Sequence, residues 1–326
     1  MLLAALAGGA ALHGMLALSG VVLAGVVVHW RLRRQRARAE EAMLLAAGAA
    51  AAAADAVVLA LGTDGAWESE GMDQLHMRLL GRQNELVERV TAAARGPVVV
   101  LLNVGSPKEL PWLGEVQAVL LVHFGGEELA PAVADALLGA SCPAGRLPYS
   151  WPRRLGDAPA VAAGPQAPGE ARYCEGLRLG YRGFGAFGGG GAAPLLPFGH
   201  GLSYSSFSYG PLEASQLLGC EDPGGPSAVV RLAVGNRGSR AGAEVVQLYA
   251  RAGPEGMRAL GAFARTRVLE PGEEAVVQLA VGPRALGTRF CEERGAWEQP
   301  AAGSSVALEV GASSADVRAT AVLVLT

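Results

Sequence analysis

Charge is scarce in this sequence: Asp, Glu, Lys and Arg make up 17% of the 326 residues, against 51% hydrophobic. That ratio excludes a disordered chain and leaves enough apolar side chains for two cores. Basic excess is also missing. With a formal net charge of -3 there is no positive field to meet a phosphate backbone, so nucleic-acid binding is excluded as a function class. The only cysteines, Cys142, Cys174, Cys220 and Cys291, have none of the short paired spacings of a zinc site, and neither a metal nor another cofactor is expected. Their even number suits disulfides or reduced thiols equally, which leaves the compartment open.

Residues 1–30 lack Asp, Glu, Lys and Arg altogether, and Arg31, Arg33, Arg34, Arg36 and Arg38 follow. An apolar run with a basic flank reads as a membrane anchor. Against this, Gly8, Gly9, Gly14, Gly20 and Gly25 dilute the run, and Val26, Val28, Trp30 and Leu32 alternate like a strand. The basic block also follows the apolar stretch, where a signal peptide has it first. Residues 1–37 are therefore set apart as an apolar N-terminal segment, either an anchor or the edge of an upstream domain.

Beyond it the pattern becomes regular. Residues 38–55 are Ala-rich with Glu40 and Glu41 near their start, a composition of high helix propensity, and they run into the strand-like Ala56-Val57-Val58-Leu59-Ala60-Leu61. From Arg82 to Arg95 the residues Leu86, Val87 and Val90 share a helical face, and Gly96-Pro97 stops that helix before the strand Val98–Leu102. A strand over Ala118–Val122 and a helix over Glu127–Leu138, ended by Gly139, repeat the unit. Near-continuous apolar strands alternating with helices predict a parallel sheet covered by helices. The expected fold is thus an α/β sandwich with a mainly parallel sheet over 38–156. A Pro-, Gly- and Ala-rich connector and domain junction follows over 157–222. Over 223–326, short strands at Val229–Val234, Glu244–Ala250, Ala275–Val281 and Val306–Val310, spaced by turn residues such as Pro271-Gly272, predict a small all-β sandwich of immunoglobulin/fibronectin III-like type.

Chemistry concentrates in the loop after the first strand, Gly62-Thr63-Asp64-Gly65-Ala66-Trp67-Glu68-Ser69-Glu70-Gly71-Met72-Asp73. It holds four carboxylates and a tryptophan at the C-terminal edge of a parallel strand, where open α/β sheets place their ligand sites. Crowded carboxylates raise the proton affinity of the least solvated one, which is how a Glu is kept protonated for acid catalysis. Trp67 offers an apolar wall or a sugar-stacking face. An acidic loop on its own is more often solvated surface than site.

The stretch Trp67-Glu68-Ser69-Glu70-Gly71-Met72-Asp73, with Gly81-Arg82-Gln83-Asn84-Glu85-Leu86 after it, resembles the signature of β-glucosidase-like members of glycoside hydrolase family 3. Further blocks follow in the family's order: Asn103-Val104-Gly105-Ser106-Pro107 with Pro111-Trp112-Leu113, Pro143-Ala144-Gly145-Arg146-Leu147-Pro148, and Pro197-Phe198-Gly199-His200-Gly201-Leu202-Ser203-Tyr204. Gly242-Ala243-Glu244-Val245-Val246-Gln247-Leu248-Tyr249 and Gly311-Ala312-Ser313-Ser314 are similar to the fibronectin III-like domain that ends many of these enzymes.

The resemblance implies hydrolysis of a β-linked oligosaccharide or glucoside with retention, without cofactor. Its general acid/base, the Glu immediately before Gly, maps onto Glu70, with Glu68 as the alternative. Trp67, Glu68 and Asp73 are the expected sugar contacts. The family's nucleophile is an Asp of an N-terminal (β/α)-barrel of about 200 residues or more, to which nothing in this chain maps. The alternative expectation is a carbohydrate-binding or regulatory remnant without turnover. Two positions depart from the pattern: the Arg that usually follows the loop's Asp is Gln74, and the Gly-Gln-Glu turn after the third strand is Gly125-Gly126-Glu127. Arg146 and the turn around His200 read as domain-junction packing. With the apolar N-terminus, the resemblance points to an extracellular or membrane-associated setting rather than a cytoplasmic one, and it leaves the oligomeric state unspecified.

Overall fold

Where Val, Leu and Ala run without interruption, the chain pairs its strands in parallel. In a computed structural model describing residues 31–71, 74–163, 172–184, 193–217, 227–252 and 256–326, β1 (Val57–Gly62), β2 (Val98–Asn103) and β3 (Ala118–Leu121) form a parallel sheet in the order β1-β2-β3. The apolar segment 1–30, the glycine run 188–191 and Cys220 lie outside these residues. The chain divides into two compact units. One takes its described residues from Met1–Ala66, Leu79–Val104 and Leu110–His123, the other from Trp67–Arg78, Gly105–Glu109 and Phe124–Thr326.

In the first unit the register sets Val57 opposite Val98, Leu59 opposite Val100 and Leu61 opposite Leu102. On that face Ala47 and Ala51 of α1 (31–53) and Leu86, Val90 and Ala93 of α2 (Gln83–Ala93) pack with Val57, Leu59 and Val98. The opposite face carries Val58, 52% exposed. The described part of helix α1 already includes residues 31–37, ahead of the expected helical stretch 38–55, because the arginines of the basic block are good helix formers. Glu41 of α1 and Glu85 of α2 share Arg82 and Arg89 at 2.6–2.9 Å, a half-buried cluster that solvent screens and that adds little to stability. Gly96, which ends the second helical pattern, must be glycine, since a Cβ there would lie 1.8 Å from the Asp55 carbonyl oxygen.

The second unit contains α3 (Leu129–Leu138), closed by Gly139 in the left-handed conformation at φ 73°, and the short α4 (Pro159–Ala162). Its bulk is a β-sandwich. One sheet runs β13 (Asp316–Val324), β12 (Ser305–Ser313), β7 (Val245–Ala252), β8 (Ala259–Arg265). The other is built on β6 (Ala228–Asn236), which pairs with β4 (Phe207–Tyr209), β5 (Glu213–Gln216) and β9 (Glu274–Val281), all antiparallel. Alternation fills the core: Val230, Leu232 and Val234 of β6 and Leu279 of β9 meet Val246, Leu248, Val306, Leu308 and Val310. β4 and β5 come from the segment read as connector. Their Ser-containing sequences carry no apolar period, so only pairing with β6 makes them strands. A separate ribbon, β10 (Arg289–Cys291) with β11 (Ala296–Glu298), completes the set.

The junction blocks hold this unit together. Buried Arg146 donates to the Gly201 carbonyl and pairs with Glu244 beside β7. The Gln247 amide donates to the Gly199 and Ala312 carbonyls at 3.1 and 2.7 Å, and Gly199, at φ 79°, has no room for a side chain because a Cβ would lie 1.9 Å from Gln247 Oε1.

Candidate active site

Two glutamates two residues apart in the acidic loop are placed in opposite environments. Ser69, Glu70 and Gly71 are exposed, and Gly71 takes φ 76°, a left-handed value that glycine adopts without strain. Glu70 has no hydrogen bond or ion pair with another described residue. The side chain of Glu68, by contrast, is only 8% exposed and faces inward.

Glu68 is enclosed by donors. The Gly105 amide donates to Oε2 at 2.5 Å, and Oε1 accepts from Ser106 Oγ at 2.8 Å, from Gln74 Nε2 at 3.2 Å and from Lys108 Nζ. Lys108 is the only lysine in the chain and is 0% exposed. Its three N–H groups go to Glu68, to Gln74 Oε1 at 2.7 Å and to Ser106 Oγ at 2.8 Å, so the buried ammonium has every donor satisfied. A compact tetrahedral cation suits this fan of three acceptors; a planar guanidinium does not. Burial alone would push the Glu68 carboxyl up, but the hydrogen bonds from Lys108, Ser106 and Gly105, with the Lys108 charge, hold it down at about 2. Glu68 is therefore a permanent carboxylate at neutral pH.

The surroundings brace this cluster. Trp151 Nε1 donates to the Lys108 carbonyl at 2.7 Å, and Glu109 N to the Met77 carbonyl at 2.7 Å. Burial first, and the Glu68 charge after it, push the Tyr149 hydroxyl up to about 12. A Cβ at Gly105 would sit 2.6 Å from Glu68 Oε2 and 2.8 Å from the Phe124 ring, so any larger residue there would have to displace one of the two side chains. Hydrogen bonds therefore tie the 67–78 loop to the 105–109 loop, while Glu70 stands free on the turn beyond.

Of the residues expected from sequence, Trp67 is half-buried with its ring 5.0 Å from that of His76, so part of its surface is already used. Glu68 is inside, Glu70 outside, and Asp73 lies outside the described residues. Sequence reasoning missed Lys108 and Ser106. At Gln74, where the resemblance expects Arg, a neutral amide stands, and Lys108 supplies the cation beside Glu68.

Comparison with known proteins identifies the domains that carry this loop. Residues 10–204 match the glycosyl hydrolase family 3 C-terminal domain, and residues 244–314 a fibronectin type III-like domain. A β-glucosidase of Rhizobium radiobacter is 41% identical over 274 residues, 81% of this chain and 32% of that protein. Thermostable β-glucosidase B of Acetivibrio thermocellus is 38% identical over 71% of this chain and 30% of its own length. Among solved structures, a β-glucosidase from Streptomyces venezuelae in complex with D-glucose superposes with a TM-score of 0.78 at 31% identity, covering 88% of this chain and 36% of that one. This chain spans about a third of the length of these relatives. Over that third, in both its α/β and its β-sandwich parts, the chain belongs to glycosyl hydrolase family 3.

Proposed function

We propose that this chain supplies the acid/base half of a retaining β-glucosidase site, with Glu70 as the general acid and base. In the first step Glu70 would protonate the glycosidic oxygen of a β-glucoside as the leaving group departs. In the second it would deprotonate the water that resolves a covalent glycosyl-enzyme. The nucleophile would come from a (β/α)-barrel outside this chain. The observation that carries the reading is the division between the two glutamates. Glu68 is consumed by Lys108, Ser106, Gln74 and Gly105, which disfavours it as a proton donor and suits it to anchor the loop. Glu70 keeps both oxygens unengaged at the turn. Trp67 and Asp73 are proposed sugar contacts at the loop's flanks.

For the domain plan, we propose that residues 1–37 continue the family domain, an assignment supported by a family match that begins at residue 10. Among the described residues no helix is long and apolar enough to cross a membrane.

The test is leaving-group dependence. In a fusion of this chain to a family barrel domain, Glu70→Gln should lower turnover of glucosides with poor leaving groups by roughly 10²-fold or more, and far less for activated aryl glucosides that depart without a proton. Equal losses on both substrates would remove Glu70 from the acid role.

A further inference from the structure

We infer that the cleft between the 200–206 turn and the β12–β13 hairpin, within the second unit, is a binding site for a neutral, polyhydroxylated molecule the size of one monosaccharide. The inference does not use the acid/base reading, since no residue of the 62–78 loop lines this cleft. Its volume is about 230 Å³, below the roughly 300–1,000 Å³ of sites for drug-sized ligands, which leaves room for a single ring rather than an oligosaccharide. The charges on its wall cancel. Arg318 donates to Asp316 through Nε and Nη2 at 3.0 and 2.7 Å, and to the Phe207 carbonyl through Nη1 at 2.8 Å. Arg146 is taken up by Glu244 and the Gly201 carbonyl. A phosphate or carboxylate therefore finds no open guanidinium fork, and a cation meets an arginine beside each carboxylate.

What this wall leaves open is hydrogen-bonding capacity of both kinds. Glu244 is 3% exposed. Its Oε1 accepts from Arg146 and, at 2.7 Å, from the Val245 amide, whereas Oε2 has no partner among the described residues. The half-buried imidazole of His200 makes no hydrogen bond with another described residue. Burial first, and the Arg146 charge after it, push its pKa down against an opposing pull from Asp316. At neutral pH it is therefore an uncharged ring with one donor and one acceptor. The Ser206 hydroxyl is exposed and unengaged as well. A buried carboxylate oxygen costs free energy until something donates to it, and hydroxyl groups on adjacent carbons meet this set of needs: one donates to Glu244 while the next exchanges hydrogen bonds with His200 or Ser206. Leu202, 79% exposed in the lining, offers apolar surface to the C–H face of a ring.

The experiment uses the full chain, with D-glucose as the probe and inorganic phosphate as the anionic control. The imidazoles of the five histidines are followed in proton–nitrogen correlation spectra, the His200 and His76 signals being assigned from their loss in His200→Gln and His76→Gln. Glucose should shift the His200 signals along a saturable curve, and phosphate at matched ionic strength should not. Ser206→Val changes an exposed position and leaves both ion pairs in place. Its Kd for glucose should rise about threefold or more, the scale of one hydrogen bond, and Ser206→Thr, which keeps the hydroxyl, should restore it. Matching near-UV circular dichroism would establish that the variants fold alike. An unmoved His200 signal, an equal response to phosphate, or an unchanged Kd in Ser206→Val overturns the assignment. A shift of His76 alone would put glucose on the acidic loop, which overturns this site and leaves the proposed role of Glu70 standing, so the two readings can fail independently.

Discussion

Replacing Lys108 by Met tests the anchor directly. The substitution keeps an unbranched side chain of similar reach and removes a fully buried cation with three hydrogen bonds. What remains is the Glu68 carboxylate, 8% exposed, with Ser106, Gln74 and the Gly105 amide as donors. Breaking a buried pair from one side costs about 3–5 kcal/mol. The three surviving donors place this case near the lower end, roughly 3 kcal/mol, which lowers Tm by about 6–12 °C for a cooperative unit of this size. The pH dependence provides a sharper criterion. Glu68 has a folded pKa of about 2 against a usual 4.5. A depressed carboxyl contributes stability that is complete above the unfolded value and is lost as pH falls through the folded one. The gap in Tm between wild type and Lys108→Met should hold from pH 7 to about 5 and close between about 4.5 and 2. Calorimetry across that range measures it. Adding Glu68→Gln to the variant should recover part of the loss, since a neutral amide needs no buried counter-ion. A Tm unchanged by Lys108→Met, or a gap that persists at the acid end, would refute the anchor.

Periodicity made the parallel sheet legible, because a buried strand such as Val98–Leu102 has no polar residue to confuse with a turn. Val229–Val234 and Val306–Val310 were legible by alternation instead, with Arg231 and Glu309 each standing between buried apolar residues of one shared core. Two short strands were not legible: Phe207–Tyr209 and Glu213–Gln216 owe their form to pairing with β6, not to their own sequence. The site was half legible. Its loop stood out by carboxylate density, but Glu68 and Glu70 look alike when only their neighbours in sequence are considered. What separates them is Lys108, forty residues further on. One signal was available in the composition, since a single lysine among 27 basic residues marks a place where arginine does not serve.

Three further outcomes follow from the same geometry. Gly105→Ala should lower stability by about 1–3 kcal/mol, the usual cost of overpacking, because its Cβ meets Glu68 and the Phe124 ring at 2.6 and 2.8 Å; an unchanged thermal midpoint would mean that the loops part easily. If residues 1–30 are an anchor, the full chain should resist carbonate extraction from membranes while a chain starting at Ala39 does not; recovery of the full chain in the soluble fraction would leave the domain-edge reading. Finally, the chain by itself should not hydrolyse p-nitrophenyl β-glucoside above the level of its Glu70→Gln variant. A retaining mechanism needs two carboxyl groups about 5–5.5 Å apart on opposite sides of the anomeric carbon. The loop offers Glu70, Asp64 and Asp73 on the same short segment, and Glu68, whose oxygens are already taken; one segment cannot face a pyranose ring from both sides. Turnover that vanishes in Glu70→Gln would show that a second carboxylate of this chain, or of a second copy, completes the pair.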